Sequence, residues 1–428
     1  MAKIRPFKAL RFDEKIAGNL SDLCAPPYDI ISESEQDALY SKSPYNIVRL
    51  ELTRGENKYA TAAETLKEWL ENGVLKQDDE PALYLYEEEF SLPDGSRKAV
   101  NGIISQVELR EFADGVILPH EETLSKAKAD RFDLMSATYC NFSQIYSLYR
   151  DETREIGRLL AAIREAAPDA EFTFSDGITH RLWAVTERPI VEALCLAFDE
   201  KQLFIADGHH RYETALNFRK KLADEGFIKD ENHNGNFIMM MLVDMEHEGL
   251  VIFPTHRMLK NLENFDISDI LERISVNFMV SPLGDTPIEE AVEAGGDPKR
   301  IVFVTGEQNY LLTFRNPLAL TEAFPDGSPA YRQLDVNLLH GLILEPILGI
   351  DKANMASQKN LTYTRDAEEA LEAVRSGREQ CAFIIGPTLV GEIRDVSLCG
   401  EKMPQKSTYF YPKLITGLVM NKIMDIPG

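Results

Sequence analysis

The stretch Leu203-Phe204-Ile205-Ala206-Asp207-Gly208-His209-His210-Arg211-Tyr212 passes directly from an apolar block into acidic, imidazole and guanidinium side chains. The block at 203–206 predicts a buried strand. Residues 212–227, with Ala215, Leu216, Phe218 and Leu222 at helical spacing, predict the helix that follows. A helix amino terminus presents backbone N–H groups and roughly half a positive charge, so this junction suits an anion. Gly208 permits close approach of the backbone, and His209, His210 and Arg211 supply directed donors, Arg211 with a fork that matches phosphate. Asp207 suits three roles: capping the helix, holding a metal or orienting a histidine.

Outward from this junction, strand and helix patterns interleave along the chain. Residues 82–90 and 100–107 flank Pro93-Asp94-Gly95-Ser96 as a hairpin, and residues 237–245 and 250–253 read as a second one. Ser32 with Glu35 three residues on forms a capping box. Residues 46–52 look like a strand, 59–70 like a helix that ends at Gly73, and 151–166 like another helix. Beyond residue 260 the pattern shortens, with strands at 300–305 and 382–385 and helices at 335–348 and 366–374. The class is α+β.

The chain has 428 residues, with 46 Lys and Arg against 70 Asp and Glu, a formal net charge of −24. That length holds two or three domains. The charge opposes DNA binding, because a duplex needs a basic face. No run approaches the roughly 18 apolar residues of a membrane span. The five cysteines are scattered without a Cys-x-x-Cys pair, which fits neither a disulfide framework nor a zinc site and points to a reducing cytoplasm. Walker, Rossmann, nucleophile-elbow and zincin motifs are all missing from the sequence.

Three further clusters could carry chemistry. Glu121, in Pro119-His120-Glu121-Glu122-Thr123, stands at a predicted strand end with Lys126, Lys128 and Arg131 close behind. A carboxylate there suits a general base or a magnesium ligand, and equally a solvated loop. His256 and Arg257 follow a strand directly and read either as a second cationic pair or as an ordinary strand-to-helix turn. Lys406, Ser407 and Thr408 open an aromatic and basic tract that either closes over a ligand or packs as a terminal strand.

Five strings, in order, resemble the bacterial and archaeal domain-of-unknown-function family numbered 1015. They run from Cys24 to Ile31, Leu118 to Thr123, Ile205 to Ala215, Pro254 to Arg257 and Met403 to Lys413. The central string is also similar to the phosphate-binding signature of the ParB/sulfiredoxin superfamily. ParB proteins carry Gly-Glu-Arg-Arg where this chain has Gly208-His209-His210-Arg211, and sulfiredoxins place their catalytic cysteine at the position of His209. Free-serine kinases of that superfamily look closest, with Asp-Gly-His-His-Arg and a separate glutamate as base.

The resemblance implies a ParB/sulfiredoxin-like mixed-sheet core over residues 1–260 with a β-rich insertion at about 80–200. A second α/β domain would follow at 261–400, and a tail at 401–428 would fold back on the core. It implies a nucleotide-dependent phosphotransferase acting on a small hydroxylated metabolite such as free serine, with magnesium and ATP or ADP and with room for a homodimer; the charge, hydropathy and cysteines place it in the cytoplasm, away from DNA and membranes. Gly208, His209, His210 and Arg211 would cradle the nucleotide phosphates, joined by His256, Arg257, Lys406, Ser407 and Thr408. Asp207, on the metal, and His210 would carry the chemistry with a glutamate base that the motif does not fix, assigned to Glu121 on its local chemistry alone. The alternative is a ParB-like switch that binds and hydrolyses a nucleotide without a small-molecule acceptor.

Overall fold

The structure, a computed structural model, describes residues 1–123 and 125–427. The chain forms two compact units. One comprises 1–119, 123–250 and 412–428, and the other comprises 120–122 and 251–411. The break at 250/251 falls short of residue 260, and the tract expected to begin the tail at 401 stays with the second unit as far as Tyr411.

The first unit is built on a mixed sheet of nine strands. Their spatial order is Ile117–Leu118, Leu203–Asp207, Ile145–Tyr149, Phe237–Asp244, Arg97–Glu108, Leu83–Ser91, Thr179–Val185 and Ala170–Thr173, with Ile4–Arg5 also paired to Arg97–Glu108. Phe237–Asp244 is buried from Phe237 to Val243, as an inner strand covered on both faces must be. It runs parallel to Ile145–Tyr149 and antiparallel to Arg97–Glu108. The strands from the expected insertion, Leu83–Ser91, Arg97–Glu108 and Thr179–Val185, are therefore continuous with the sheet that carries the Asp207 junction.

Sheet residues Leu85, Ile103, Ile145, Ile205 and Leu242 share one core with Ile156, Leu160, Leu194 and Phe198 from the helices Glu155–Ile163 and Arg188–Phe198. Gly102 marks the tightest approach inside this sheet. A Cβ there would lie 2.4 Å from the Leu242 carbonyl oxygen, which is backbone and cannot give way.

The second unit holds a six-stranded antiparallel sheet. Its order is Phe278–Pro282, Asn309–Phe314, Arg300–Thr305, Cys381–Ile384, His256–Leu259 and Leu361–Thr364. The helix Ala367–Arg375 packs its apolar face on it through Ala370, Leu371 and Val374. Among the described residues no helix is long and apolar enough to cross a membrane.

Two sequence expectations about local structure fail for tertiary reasons. Residues 46–52 are not a strand; Val48–Glu51 is a short helix. Asn46 is fully buried, donates to the carbonyls of Asp22 and Cys24 at 2.8 and 3.0 Å, and accepts from the Val48 N–H at 3.0 Å, which starts a turn where β-branched residues suggested extension. Residues 237–245 and 250–253 do not form a hairpin. Val251–Phe253 pairs instead with Tyr409–Tyr411, so the basic aromatic tract is a strand of the second unit.

Candidate functional site

In the first unit Leu203–Asp207 runs through the sheet and the helix His209–Asp224 begins immediately after it. The register against Ile145–Tyr149 shifts between Ile205 and Asp207, an irregularity of the kind that re-aims a side chain at a strand end. Gly208 has φ +95, and no side chain caps the helix. A Cβ at Gly208 would lie 2.9 Å from an Arg211 guanidinium nitrogen, because Arg211 folds back over the turn. The backbone angle favours glycine there, and a Cβ would also push the guanidinium aside.

Arg211 Nη2 donates to Asp207 Oδ2 at 2.9 Å, and its Nη1 donates to the Gln144 carbonyl. Lys413 Nζ donates to the other carboxylate oxygen, Oδ1, at 2.8 Å. The Asp207 side chain keeps 24% of its surface, and those of Arg211 and Lys413 keep 12% each. Burial alone would raise the Asp207 carboxyl, but the Lys413 and Arg211 charges overcome it and hold the group well below the usual carboxylate range.

The surroundings extend the charge cluster. The Arg131 guanidinium stacks 3.9 Å over the Tyr28 ring and lies 3.4 Å from the buried Glu51 carboxylate. Burial, opposed by Arg131 and Arg211, pushes the Tyr28 hydroxyl up to about 12. Glu213, in the first turns of the helix, accepts from Lys128 at 2.6 Å and from Thr123 at 2.8 Å. His209 is buried at 2% exposure. Burial lowers the half-buried His210, with Glu213 and Asp29 opposing the shift and Lys128 and Arg211 adding to it, so its imidazole is neutral at pH 7.

The sequence reading left Tyr28 and Asp29 out of the candidate site, and it set Arg131 with Glu121 and Lys413 with the Lys406 tract instead of beside Asp207. The signal for Tyr28 was the Pro26-Pro27 pair that fixes its approach, and for Lys413 its place in the last of the strings that carry the family resemblance.

The remaining candidates belong to the second unit. Glu121 forms a parallel bridge with Met403, and its Oε1 accepts from the Lys406 N–H at 3.4 Å. The Met403 N–H donates to the His120 carbonyl at 2.7 Å, and His120 Nε2 lies 3.1 Å from Thr408 Oγ1. Arg257 is fully buried in its strand, donates to the carbonyls of Thr255 and Lys406, and is lowered to about 10 by burial. His256 accepts from the Ile385 N–H and is lowered to about 4, by burial first and the Arg257 charge second. Ser407 donates to the Pro404 carbonyl at 2.5 Å and accepts on its own carbonyl from Thr388 at 2.8 Å. Glu121, Arg257, Lys406, Ser407 and Thr408 are thus gathered within one unit, and Asp207 to Arg211 within the other.

A metal at Asp207 does not fit this arrangement. Both carboxylate oxygens already accept from cations, and a divalent ion there would face the Arg211 and Lys413 charges. Among the described residues no group of three or more His, Cys, Asp and Glu side chains is placed to hold a metal ion.

A model of the proteins of unknown function DUF1015 matches residues 4–337, most of the chain. The chain belongs to the DUF1015 family. No curated protein matches the sequence. Among solved structures, this DUF1015 protein is similar to a conserved hypothetical protein from Pyrococcus furiosus at 14% identity, with a TM-score of 0.36, over 74% of this chain and 96% of that one. It is similar to a free serine kinase variant in complex with AMP at 13% identity, with a TM-score of 0.37, over 73% of this chain and 87% of that one. It is also similar to SbnI with C-terminal truncation from Staphylococcus aureus at 11% identity, with a TM-score of 0.36, over 74% and 86%.

Proposed function

We propose that this DUF1015 protein is a nucleotide-dependent phosphotransferase that acts on a small hydroxylated metabolite and holds the nucleotide phosphates at the Asp207–Arg211 junction. The observation that carries the reading is the convergence of Arg211 and Lys413 on Asp207 at the start of a helix turned by glycine. Asp207 keeps the two cations in place before a ligand arrives. A phosphate then takes the guanidinium fork and the ammonium as charge-assisted donors, with the helix terminus behind it. Phosphoryl transfer asks a protein mainly for such positioning and charge neutralisation.

The neutral His210 is the proton acceptor we assign for the substrate hydroxyl within this unit. Magnesium, in this reading, arrives on the nucleotide phosphates and not on Asp207. The net charge of −24 keeps a DNA duplex away at long range, while the local Arg211 and Lys413 charges suit a small anion.

The test is a melting-temperature screen of ADP and ATP with and without magnesium, followed by transfer assays over a panel of hydroxylated metabolites with serine first. A ligand at 100 times its dissociation constant stabilises a fold by about 2.7 kcal/mol. Arg211→Ala removes a contact worth about 1.5–3 kcal/mol and should weaken nucleotide binding by tenfold or more. Absence of any nucleotide shift at millimolar concentration would refute the site. Nucleotide turnover indifferent to every acceptor would favour the ParB-like switch. Glu121→Gln in the same assay decides the glutamate expected from the sequence: lost transfer with intact nucleotide affinity returns the base role to Glu121, and unchanged transfer leaves it with His210.

A further inference from the structure

We infer that the second unit carries a binding site for a small, uncharged nitrogen heterocycle of nucleobase type, held at its hydrogen-bonding edge by Asn337 and His340. The site is a cavity of about 110 Å³ within that unit. Its size is of the same order as the roughly 150 Å³ of an engineered cavity that binds benzene. Its walls are the rings of Phe324, Tyr331 and Tyr363 with the thioether of Met355, surfaces suited to a planar ligand.

His340 opens a π-helical turn, His340–Leu344, set between the α-helical segments Asp335–Leu339 and Glu345–Leu348. Such turns insert a residue into a helix and occur frequently at functional sites. The next residue, Gly341, lets the Phe324 ring close down on the turn: a Cβ there would lie 2.4 Å from a ring carbon. Phe324 in turn packs edge-on against Tyr331 with centroids 5.5 Å apart.

Beside these rings the lining carries charged side chains, and two of its buried polar residues hold unused atoms. His340 is 6% exposed, and neither of its ring nitrogens has a partner among the described residues. Asn337 is fully buried. Its Nδ2 donates to the Tyr331 carbonyl at 2.7 Å, while its Oδ1 has no partner among the described residues. Buried polar groups are nearly always paired, so three such atoms on two residues that line one cavity call for a ligand that pairs them.

Their chemistry narrows the class. Burial, with the Arg257 charge second, holds the His340 ring neutral, so it offers one donor and one acceptor. With Asn337 Oδ1 the site presents two acceptors and one donor. Glu122 and Lys352, 3.8 Å apart, with Glu345 and Lys402 put two negative and two positive groups along the same cavity, so its lining favours neither an anion nor a cation. A heterocycle with ring N–H or exocyclic amine groups beside a ring nitrogen or carbonyl satisfies all three atoms.

The experiment uses the full-length protein and calorimetric titration with adenine, cytosine and uracil, with toluene and benzoate as ring-sized controls. At least one base should bind with a dissociation constant below millimolar and more tightly than either control. His340→Phe keeps the ring shape and removes both nitrogens. It should weaken that base at least tenfold while leaving the melting temperature unchanged or higher, since no protein partner is lost. Met355→Trp, which fills the cavity from its wall, should abolish base binding and serves as the deciding variant if His340→Phe does not fold. Arg211→Ala should bind the base as the natural protein does. No base binding at millimolar concentration, toluene or benzoate binding as well as the bases, equal base affinity in His340→Phe, or loss of base binding in Arg211→Ala would each overturn the inference.

Discussion

Replacing Lys413 by Met removes one of the two cations on Asp207 while keeping the length and apolar stem of the side chain. Breaking a buried ion pair by removing one partner costs about 3–5 kcal/mol. Here Asp207 retains Arg211 at 2.9 Å and about a quarter of its surface, 24%, so the expected loss is smaller, about 2–3 kcal/mol near pH 7. At about 2–4 °C per kcal/mol for a domain of this class, the melting temperature should fall by roughly 4–12 °C.

The pH dependence gives the sharper test. The Asp207 carboxyl is held below its unfolded value of about 3.9, so the unfolded chain binds more protons between the two values. The stabilisation is complete above the unfolded value and is lost as the pH falls through the folded one. The gap between natural protein and Lys413→Met should therefore be widest near neutrality and should close on acidification. The assay is chemical denaturation of both proteins, of Asp207→Asn and of the double variant, at neutral and acidic pH, with the coupling energy read from the cycle. A coupling below about 0.5 kcal/mol near pH 7, or a gap that widens on acidification, would refute the argument.

Gly208→Ala should cost about 1–2 kcal/mol for a left-handed backbone and should also displace Arg211, so ADP affinity should drop at least tenfold; Gly115→Ala, at φ +66 with open space around its Cβ, should lose stability alone, and calorimetric titration of both variants separates the effects. Glu88 is pushed up to about 8 by burial, against the Tyr86 hydroxyl that donates to it at 2.9 Å, and so takes up a proton on folding between about 4.3 and that value. Its burial therefore destabilises the fold increasingly as pH rises through this window, and Glu88→Gln should raise the melting temperature more near pH 8 than near pH 5; an equal or reversed gain would refute the assignment.

The local elements around the junction were legible because their cues are local. The apolar run at 203–206 and the 3.6-residue spacing after it describe Leu203–Asp207 and His209–Asp224 within a few residues. The hairpin around Pro93-Asp94-Gly95-Ser96 and the Ser32–Glu35 capping box appear as expected for the same reason. What failed was decided at long range. Asn46 turns the chain through hydrogen bonds to a segment more than 20 residues earlier, and Val251–Phe253 finds its partner at Tyr409–Tyr411. Lys413 reaches Asp207 across a sequence separation of 206, which no spacing rule could reveal. The π turn at His340 was hidden because residues 335–348 carry an ordinary helical pattern, and a π turn differs by a single inserted residue.

The route of the polypeptide imposes an order of assembly on the Asp207 charge cluster. After Leu250 the chain leaves the first unit and returns only at Pro412, and Lys413 is the next residue. The returning segment is then fastened to early sequence, with Thr416 bridged to Ala25, Met420 to Leu10, and Asn421–Lys422 paired to Cys140–Asn141. During synthesis the strand, the glycine and the helix of the junction all emerge long before their second cation. A nascent chain halted at Tyr411 would present Asp207 to Arg211 alone, with half of its counter-charge missing. The cluster thus reaches its charge balance only after the chain has passed through the whole of the second unit and Lys413 has been made.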